Sequence, residues 1–347
     1  MSLEQQILTP QGKERGTADA RCVVGATVVN AIRVSIIIPA FNEARMIGKC
    51  LDSLTRLEFP RDQFEVILVD NGSEDATVQI AESFADRLNM TILEKYAVKI
   101  SALRNLGASS ARGDILAFLD ADCLPPATWL TDILALTPAD GSGVVGAHYV
   151  LPEDSTWVGR TWHVYQEAPK AGDVSHVPAG DLVMRREDFL RVRGFDESIQ
   201  TNEDYELCDR VRKAGMPVRA FPKIGVVHLG TAQSLKIFYR KQRWHGTHVV
   251  KVFLRDVLHS DNKKAVLFAI YTLVCVVAFG ITSAMALFKF SRVTPIITLG
   301  ALMLPPVLMA LPKVWERKKF GDFVPLATLY LTYGLARARA LLNAMKG

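Results

Sequence analysis

Three short apolar runs, each ending in a cluster of polar residues, restrict the fold of this chain more than any other feature. Residues 34–38 lead through Pro39 into Asn42 and Glu43. Residues 66–69 lead into Asp70-Asn71-Gly72-Ser73, and residues 115–119 into Asp120-Ala121-Asp122. Largely apolar runs of this length belong to strands buried on both faces, as in a parallel sheet. Between them the period changes to that of a helix. Ile47, Leu51 and Leu54 share one face over residues 44–57, Ser73 and Asp75 are placed to cap a helix to Ala85, and residues 99–110 are again helical. With a further strand over 90–93, four strands alternate with helices, which predicts a mostly parallel sheet between helical layers. Pro39 is expected to end the first strand.

Ligands of open α/β sheets bind beyond the carboxyl ends of the strands. The three polar clusters are therefore expected on one rim. In extended backbone, Asp120 and Asp122 point to the same side. Two close carboxylates repel unless a proton or cation lies between them. A divalent cation with oxygen ligands, Mg²⁺ or Mn²⁺, relieves that repulsion and can hold a diphosphate. Glu43 and Asp70 suit a second task, accepting hydrogen bonds from the base and ribose of a nucleotide. Each cluster taken singly also fits an ordinary cap or turn. Their common register carries the reading of a nucleotide site. No GxGxxG follows the first strand and no GKS/T occurs, which speaks against dinucleotide and P-loop enzymes. Phosphatases of the haloacid dehalogenase type place their DxD on the first strand, whereas here it follows the fourth.

Beyond Asp122 the pattern predicts a helix from Pro125-Pro126 to Leu136 and a strand over 143–150. A polar and aromatic stretch without clear period follows over 152–176, then turn and strand over 178–185. A helix over 203–213 is stopped by Gly215 and Pro217, and short strands are expected over 218–221 and 225–229. A long basic helix with aromatics over 234–258 is suited to lying on a membrane or packing on the domain. Then the solvent changes. Residues 265–288 are 24 residues without a charge and read as a transmembrane helix. Residues 293–311 form a second span, kinked at Pro305-Pro306. Residues 323–342, with Arg337 and Arg339, either span or lie in the interface.

The expected organisation is an amino-terminal tail (1–33), a catalytic domain (34–232, divided at 122 into a nucleotide half and an acceptor half), a basic interfacial helix (233–262) and a membrane region (263–347). Basic residues flank the apolar segments at 236–255, 263–264 and 313–319, which places the amino-terminal domain in the cytosol by the positive-inside rule. The first residues lack the basic lead and cleavage site of a signal peptide. The expected location is thus the inner, cytoplasmic membrane, multi-pass at the carboxyl end. A formal charge of +5 gives no nucleic-acid footprint. Five scattered cysteines with no CxxC pair argue against a disulfide framework.

Several of these stretches resemble glycosyltransferase family 2. They are Ile36-Ile37-Ile38-Pro39-Ala40-Phe41-Asn42-Glu43, Val69-Asp70-Asn71-Gly72-Ser73-Glu74-Asp75, Arg104-Asn105-Leu106-Gly107 and Asp120-Ala121-Asp122. Gly180-Asp181, Arg185-Arg186, Gly194-Phe195-Asp196-Glu197 and Glu203-Asp204-Tyr205-Glu206-Leu207 continue the series. The resemblance covers residues 33–230. It implies a GT-A fold, a nucleotide-sugar donor (most often a UDP-sugar), a divalent metal and inversion at the anomeric carbon. It also implies that Pro39, Asn42, Glu43, Asp70, Gly72, Ser73, Arg104, Asp120 and Gly180 line the donor site, with Arg104 near the diphosphate. Asp122 would ligate the metal, with Asp120 at the ribose or metal shell. His228, at a strand end, is a further candidate ligand. Asp204 would be the catalytic base, with Glu203 the neighbouring alternative. Trp157, Trp162 and Tyr165 lie where the family's acceptor loop sits.

Two departures bear on the acceptor. Asp181 follows Gly180 where the family often has a small residue or Asn. Gln242-Arg243-Trp244 resembles the Gln-x-x-Arg-Trp motif of processive synthases with the wrong spacing, which favours transfer of one sugar over continuous extrusion. A cytosolic enzyme anchored in a membrane points to a lipid-linked or saccharide acceptor. The competing reading, a non-catalytic membrane scaffold with a transferase-like domain, is opposed by the intact Asp122, Glu203 and Asp204.

Overall fold

The computed structural model describes residues 32–137, 142–165, 171–199, 201–255, 263–288 and 291–344. All but the last two residues of the expected tail lie outside these. The first half alternates strand and helix: β1 (Val34–Ala40), α1 (Ile47–Thr55), β2 (Phe64–Asp70), α2 (Thr77–Glu82), β3 (Met90–Glu94), α3 (Ile100–Ser110) and β4 (Ile115–Leu119). These four strands pair in parallel in the order β3-β2-β1-β4. Then come β5 (Cys123–Leu124), α4 (Trp129–Leu136), β6 (Val144–Gly146), α5 (Trp157–Tyr165), β7 (Gly172–Asp173), β8 (Asp181–Arg185), α6 (Arg186–Arg191), α7 (Glu203–Lys213), β9 (Val218–Ala220) and β10 (Val227–His228). β8 joins β4 antiparallel and the sheet continues through β6, β9 and β7 in mixed directions.

The alternation of β1 explains its two-sided burial. Ile36 and Ile38 enter one core with α1, α2 and α4, while Ile37 enters the other with α3, α6 and α7. Gly107 lets α3 approach closely, since a Cβ there would lie 2.5 Å from Ile37 Cγ2. At the amino end of the sheet, buried Glu65 accepts from Ser35 Oγ (2.6 Å) and from the backbone and side chain of Arg112 (both 2.7 Å), which ties β1, β2 and the entry to β4 together.

Several boundaries differ from the sequence reading. Pro39 does not end β1; it pairs with Val69 within the strand. Ala40 O accepts from Asn71 N on the β2 side, so the Pro39 nitrogen turns to the β4 side, where pairing has stopped at Ile37–Phe118. A missing N–H therefore costs nothing there. The helix expected to run to Ala85 ends at Glu82, and Ser73 is used elsewhere. Within the aperiodic stretch, α5 is a helix after all, with Val158 and Tyr165 facing different apolar clusters.

The carboxyl-terminal part consists of α8 (Leu235–Arg255), α9 (Lys263–Leu287), α10 (Thr294–Arg317) and α11 (Phe323–Ala344). Among the described residues, two helices, α9 and α10, are long and apolar enough to cross a membrane. The second runs on to Arg317, through Pro305, Pro306 and Pro312. Helix α11 is different. Leu326, Leu329, Ala336 and Ala340 are fully buried. Its Leu326 and Tyr330 pack with Ala310 and Val314 of α10 and with Tyr165 of α5, and Phe268 of α9 stacks on Tyr333. It thus joins the apolar helices to the sheet domain.

Candidate active site

The polar clusters at the ends of β1 and β2 form one network. Asp70 is buried, and its carboxylate accepts from Gly72 N (2.8 Å), Ser73 N (2.7 Å) and Ser73 Oγ (2.5 Å). Ser73 Oγ accepts in turn from Asn42 N (2.9 Å), and Asn42 Oδ1 accepts from Glu74 N (2.9 Å). Gly72 has φ +84°, and a Cβ there would meet the exposed Tyr96 ring at 2.7 Å. Thr77 Oγ1 accepts from Glu43 N (2.7 Å), which fixes Glu43 ahead of the turn that leads into α1. Pro39 is buried in β1, at the end that leads into this cluster.

The acidic pair does not continue the strand. Cys123 N donates to Asp120 O (3.0 Å), so Asp120-Ala121-Asp122 is a turn between β4 and β5. The two carboxylates consequently have separate partners. Asp120 is bound by Arg104 Nη2 (2.7 Å) and Tyr149 Oη (3.1 Å). Asp122 Oδ2 lies 3.2 Å from His228 Nε2. That meeting follows from the small ribbon of β5 and β10, which sets His228 opposite Cys123. Tyr149 stacks on the His228 ring at 4.4 Å and so links the two halves of the turn. Glycines leave room for both carboxylates. A Cβ at Gly180 would overlap Asp120 and the Tyr149 hydroxyl, and one at Gly230 would overlap Asp122.

Arg104 is 2% exposed and bridges two acids 83 residues apart in sequence, Asp120 and Glu203 (Nη1 to Oε1, 2.6 Å). Burial favours the neutral guanidine, but Asp120 and Glu203 outweigh it and hold Arg104 protonated above its ordinary range. Glu203 begins α7 and is buried. Asp204, beside it, is part-exposed, with Tyr205 N (2.8 Å) and Ala179 N (3.3 Å) donating to its carboxylate. Burial pushes both carboxyls up. Glu43 is raised to about 7 by burial and by repulsion from Asp122 and Asp120. At Asp122, burial acts upward, but the His228 hydrogen bond and charge win and its pKa is lowered.

Among the described residues, one group of three donor atoms is close enough to share a cation: Asp122, Cys123 and His228, all within 4.8 Å of one another. Burial and the charges of Asp120 and Asp122 push the Cys123 thiol up, so it stays protonated and a weak ligand. A carboxylate and an imidazole with a second carboxylate behind them fit Mn²⁺ better than Mg²⁺, which favours oxygen ligands alone. Glu43, repelled by both aspartates, marks the same place as one that gains from a positive charge.

The site thus brings together Pro39, Asn42, Glu43, Asp70, Gly72 and Ser73 on one side of the acidic turn, and Arg104, Gly180, Glu203, Asp204 and His228 on the other, whereas Trp162 and Tyr165 pack against α11 and Trp157 is exposed. Tyr149 and Gly230 were not foreseen. No local pattern marks them, since both act only through contacts with Asp120 and Asp122.

The chain is similar to known proteins in sequence and in fold. The sequence profile described as glycosyl transferase family 2 matches residues 35–193. Glycosyltransferase AglE of Haloferax volcanii is 41% identical over 128 residues, 35% of this chain and 42% of that protein. The probable glycosyltransferase YdaM of Bacillus subtilis is 26% identical over 278 residues, 74% of this chain and 66% of that protein. The matched stretches therefore span less than two thirds of these relatives' own lengths. Among solved structures, the mannosyltransferase PcManGT from Pyrobaculum calidifontis, in complex with GDP-Man and Mn²⁺, superposes with a TM-score of 0.59 over 92% of this chain and 90% of that one, at 18% identity. That likeness shows the shared fold.

Proposed function

We propose, on the premise that this chain carries a glycosyltransferase family 2 domain of the GT-A fold, that it transfers one sugar, with inversion, from a nucleotide-sugar to a lipid-linked or saccharide acceptor at a membrane. A UDP-sugar is the proposed donor and cell-surface glycan synthesis the proposed setting. One observation carries the reading: Asp120, Asp122, Glu203, Asp204 and His228 converge on one rim from three separate stretches of chain, beside a turn built on Asp70.

Each residue has a task in this reading. The turn of Asp70, Gly72 and Ser73, with Pro39, Asn42 and Glu43, cradles the nucleoside. Asp122 and His228 hold the divalent cation, with Asp120 behind them, and the cation would supply charge stabilisation for the leaving diphosphate. Arg104 acts by fixing Asp120 and Glu203, since both acids already occupy its guanidinium.

Asp204 is the base. Its carboxylate accepts only from the backbone, at Tyr205 N and Ala179 N, whereas the Glu203 carboxylate is held by the Arg104 cation. In a single displacement the acceptor hydroxyl oxygen attacks the anomeric carbon and its proton passes to Asp204. The bond to the diphosphate breaks with its electron pair on the departing nucleoside diphosphate. A partly desolvated carboxyl with a raised pKa is a stronger base than a free one.

Residues 34–232 form the catalytic domain in this proposal, 233–262 the interfacial helix and 263–347 the membrane region. The basic flanks of the apolar helices put the catalytic domain on the cytosolic side. Titrating the full chain with UDP-, GDP- and dTDP-sugars in the presence of Mn²⁺ tests the reading. Saturable binding of one of them, lost on chelation, is expected; binding of none would sink it.

A further inference from the structure

Between the acidic turn and the membrane helices lies a cavity of about 670 Å³. His228 and Tyr149 form its wall on the metal side, and Lys241, His245 and Arg317 form the wall toward the carboxyl-terminal helices. Among the described residues its lining contains no carboxylate. This contrasts with the adjoining rim, where acids dominate. A cavity lined by cationic and imidazole groups attracts an anion.

The cationic wall has reinforcement behind it. Arg337 of α11 donates to Gln242, itself part of the lining, at 3.2 Å, while its buried Nε and Nη1 have no hydrogen-bond partner. Gly246 makes this possible, since a Cβ there would lie 2.9 Å from Arg337 Cδ.

A second crevice, of about 640 Å³, opens next to the first. It is mainly apolar, formed by Phe268, Met309, Tyr330 and Tyr333 from α9, α10 and α11, with Lys264 and Lys313 among its lining residues. Trp162 of α5 belongs to both walls, edge-on to Phe238 at 4.8 Å and stacked with Tyr333 at 5.8 Å. A charged chamber and an apolar crevice thus share one indole. On the side of the proposed base, His148 in the chamber lining faces His176 (6.2 Å), which faces Tyr205 (5.4 Å), the neighbour of Asp204.

From this geometry we infer that the acceptor is a phosphate-linked lipid, bound with its phosphate in the chamber at Lys241 and Arg317 and its hydrocarbon chain in the crevice past Trp162. The inference rests on the transferase reading above and names the acceptor class. A free saccharide leaves the crevice without a role, and an uncharged lipid leaves the cationic wall without one. The hydroxyl that receives the sugar then lies on the His148–His176 side, toward Asp204. Exposed phosphate sites alone are common, but one joined to an apolar crevice between two candidate membrane spans selects an amphipathic ligand.

The test uses the full chain in detergent micelles and dansyl-labelled farnesyl phosphate as probe. Farnesol competes as tail without charge, and glucose 1-phosphate as charge without tail. Saturable probe binding is expected, with farnesol and glucose 1-phosphate each at least tenfold weaker than unlabelled farnesyl phosphate. Arg317→Ala, at an exposed position, and Phe268→Ser, in the crevice, are each expected to weaken probe binding at least tenfold. Both should keep nucleotide-sugar binding, which shows that they are folded. Equal competition by glucose 1-phosphate, equal competition by farnesol, or indifference to both substitutions would each overturn the site. If no nucleotide-sugar binds but the probe does, through Arg317, the transferase reading fails and the lipid site stands. The reverse pattern removes the lipid site alone.

Discussion

The turns at the ends of β1 and β2 and the junction that α5, α7, α8 and α11 make with the sheet solve their polar problems in opposite ways. In the turns the groups are satisfied by near neighbours or by the adjacent strand end: Asp70 by Gly72 and Ser73, Asp75 by Thr77, Asn42 by Glu74. At the junction the contacts join residues far apart: Arg104 to Glu203, Gln242 to Arg337, Tyr165 to Asp322. The first is a preformed cradle that depends on local turns. The second is assembled only when the sheet, α7, α8 and α11 have all docked. A substitution in the cradle should therefore disturb donor binding with little effect on the whole, while one at the junction should disturb the whole.

The largest expected effect tests the function of the junction. Asp204→Asn should lower kcat by roughly 10²- to 10⁴-fold, with nucleotide-sugar affinity and melting temperature close to those of the parent. Steady-state kinetics beside calorimetry would check this. Glu203→Gln should show the opposite balance, a lower melting temperature being its main effect. If Glu203→Gln abolished turnover in a fully stable protein, the assignment of the base would have to be exchanged.

Stability separates the halves next. Arg104→Met leaves Asp120 and Glu203 without their common cation, and breaking a buried ion pair from one side costs about 3–5 kcal/mol. Asp70→Ala frees the backbone N–H groups of Gly72 and Ser73 at a half-open turn, for about 1–3 kcal/mol. Chemical denaturation of the two variants should rank them in that order. The reverse order would mean that the cradle, not the junction, holds the domain together.

The glycines test the metal face in isolation. Gly230→Ala would drive a methyl into Asp122, and Gly180→Ala one into Asp120 and Tyr149. Both should weaken Mn²⁺ binding, by about 10- to 100-fold if displaced ligands behave as ligands deprived of their support do. Gly215→Ala serves as the control, having a positive φ but nothing nearby. Isothermal titration with Mn²⁺ would distinguish them.

The same contrast explains what could be read in advance. Strand β4 and helix α7 fall at the expected residues, because an apolar run bounded by polar residues and an acidic start with a Gly stop are local signals. The cradle was legible for the same reason. The alternation argument placed Asp120 and Asp122 side by side on a strand, whereas they lie on a turn and each faces its own partner. Helix α5 was hidden because its apolar residues serve two different clusters, which blurs a single-face period. Tyr149 and the bridging role of Arg104 depend on residues 29 to 99 positions away, and no spacing rule reaches that far.

The smallest effect lies where the two halves touch. Glu43 belongs to the cradle, yet its carboxyl is raised to about 7 by burial and by Asp122 and Asp120 across the divide. Below that pH the folded protein holds a proton on Glu43 that an unfolded chain would have released from about pH 4.5 upward. In this window the native state binds more protons than the unfolded one, so Glu43 makes the metal-free protein less stable as pH rises from about 4.5 to 7. A divalent cation at Asp122 reverses the local charge, draws Glu43 into its ionised form and releases that proton. Mn²⁺ affinity should accordingly rise with pH, by at most about tenfold per unit for one proton released, and level off above about 7. Glu43→Gln should flatten this dependence while leaving Mn²⁺ binding at pH 8 nearly unchanged. An unaltered slope in that variant would show that the cradle and the metal face do not sense each other, and the two halves would then meet only through the donor they share.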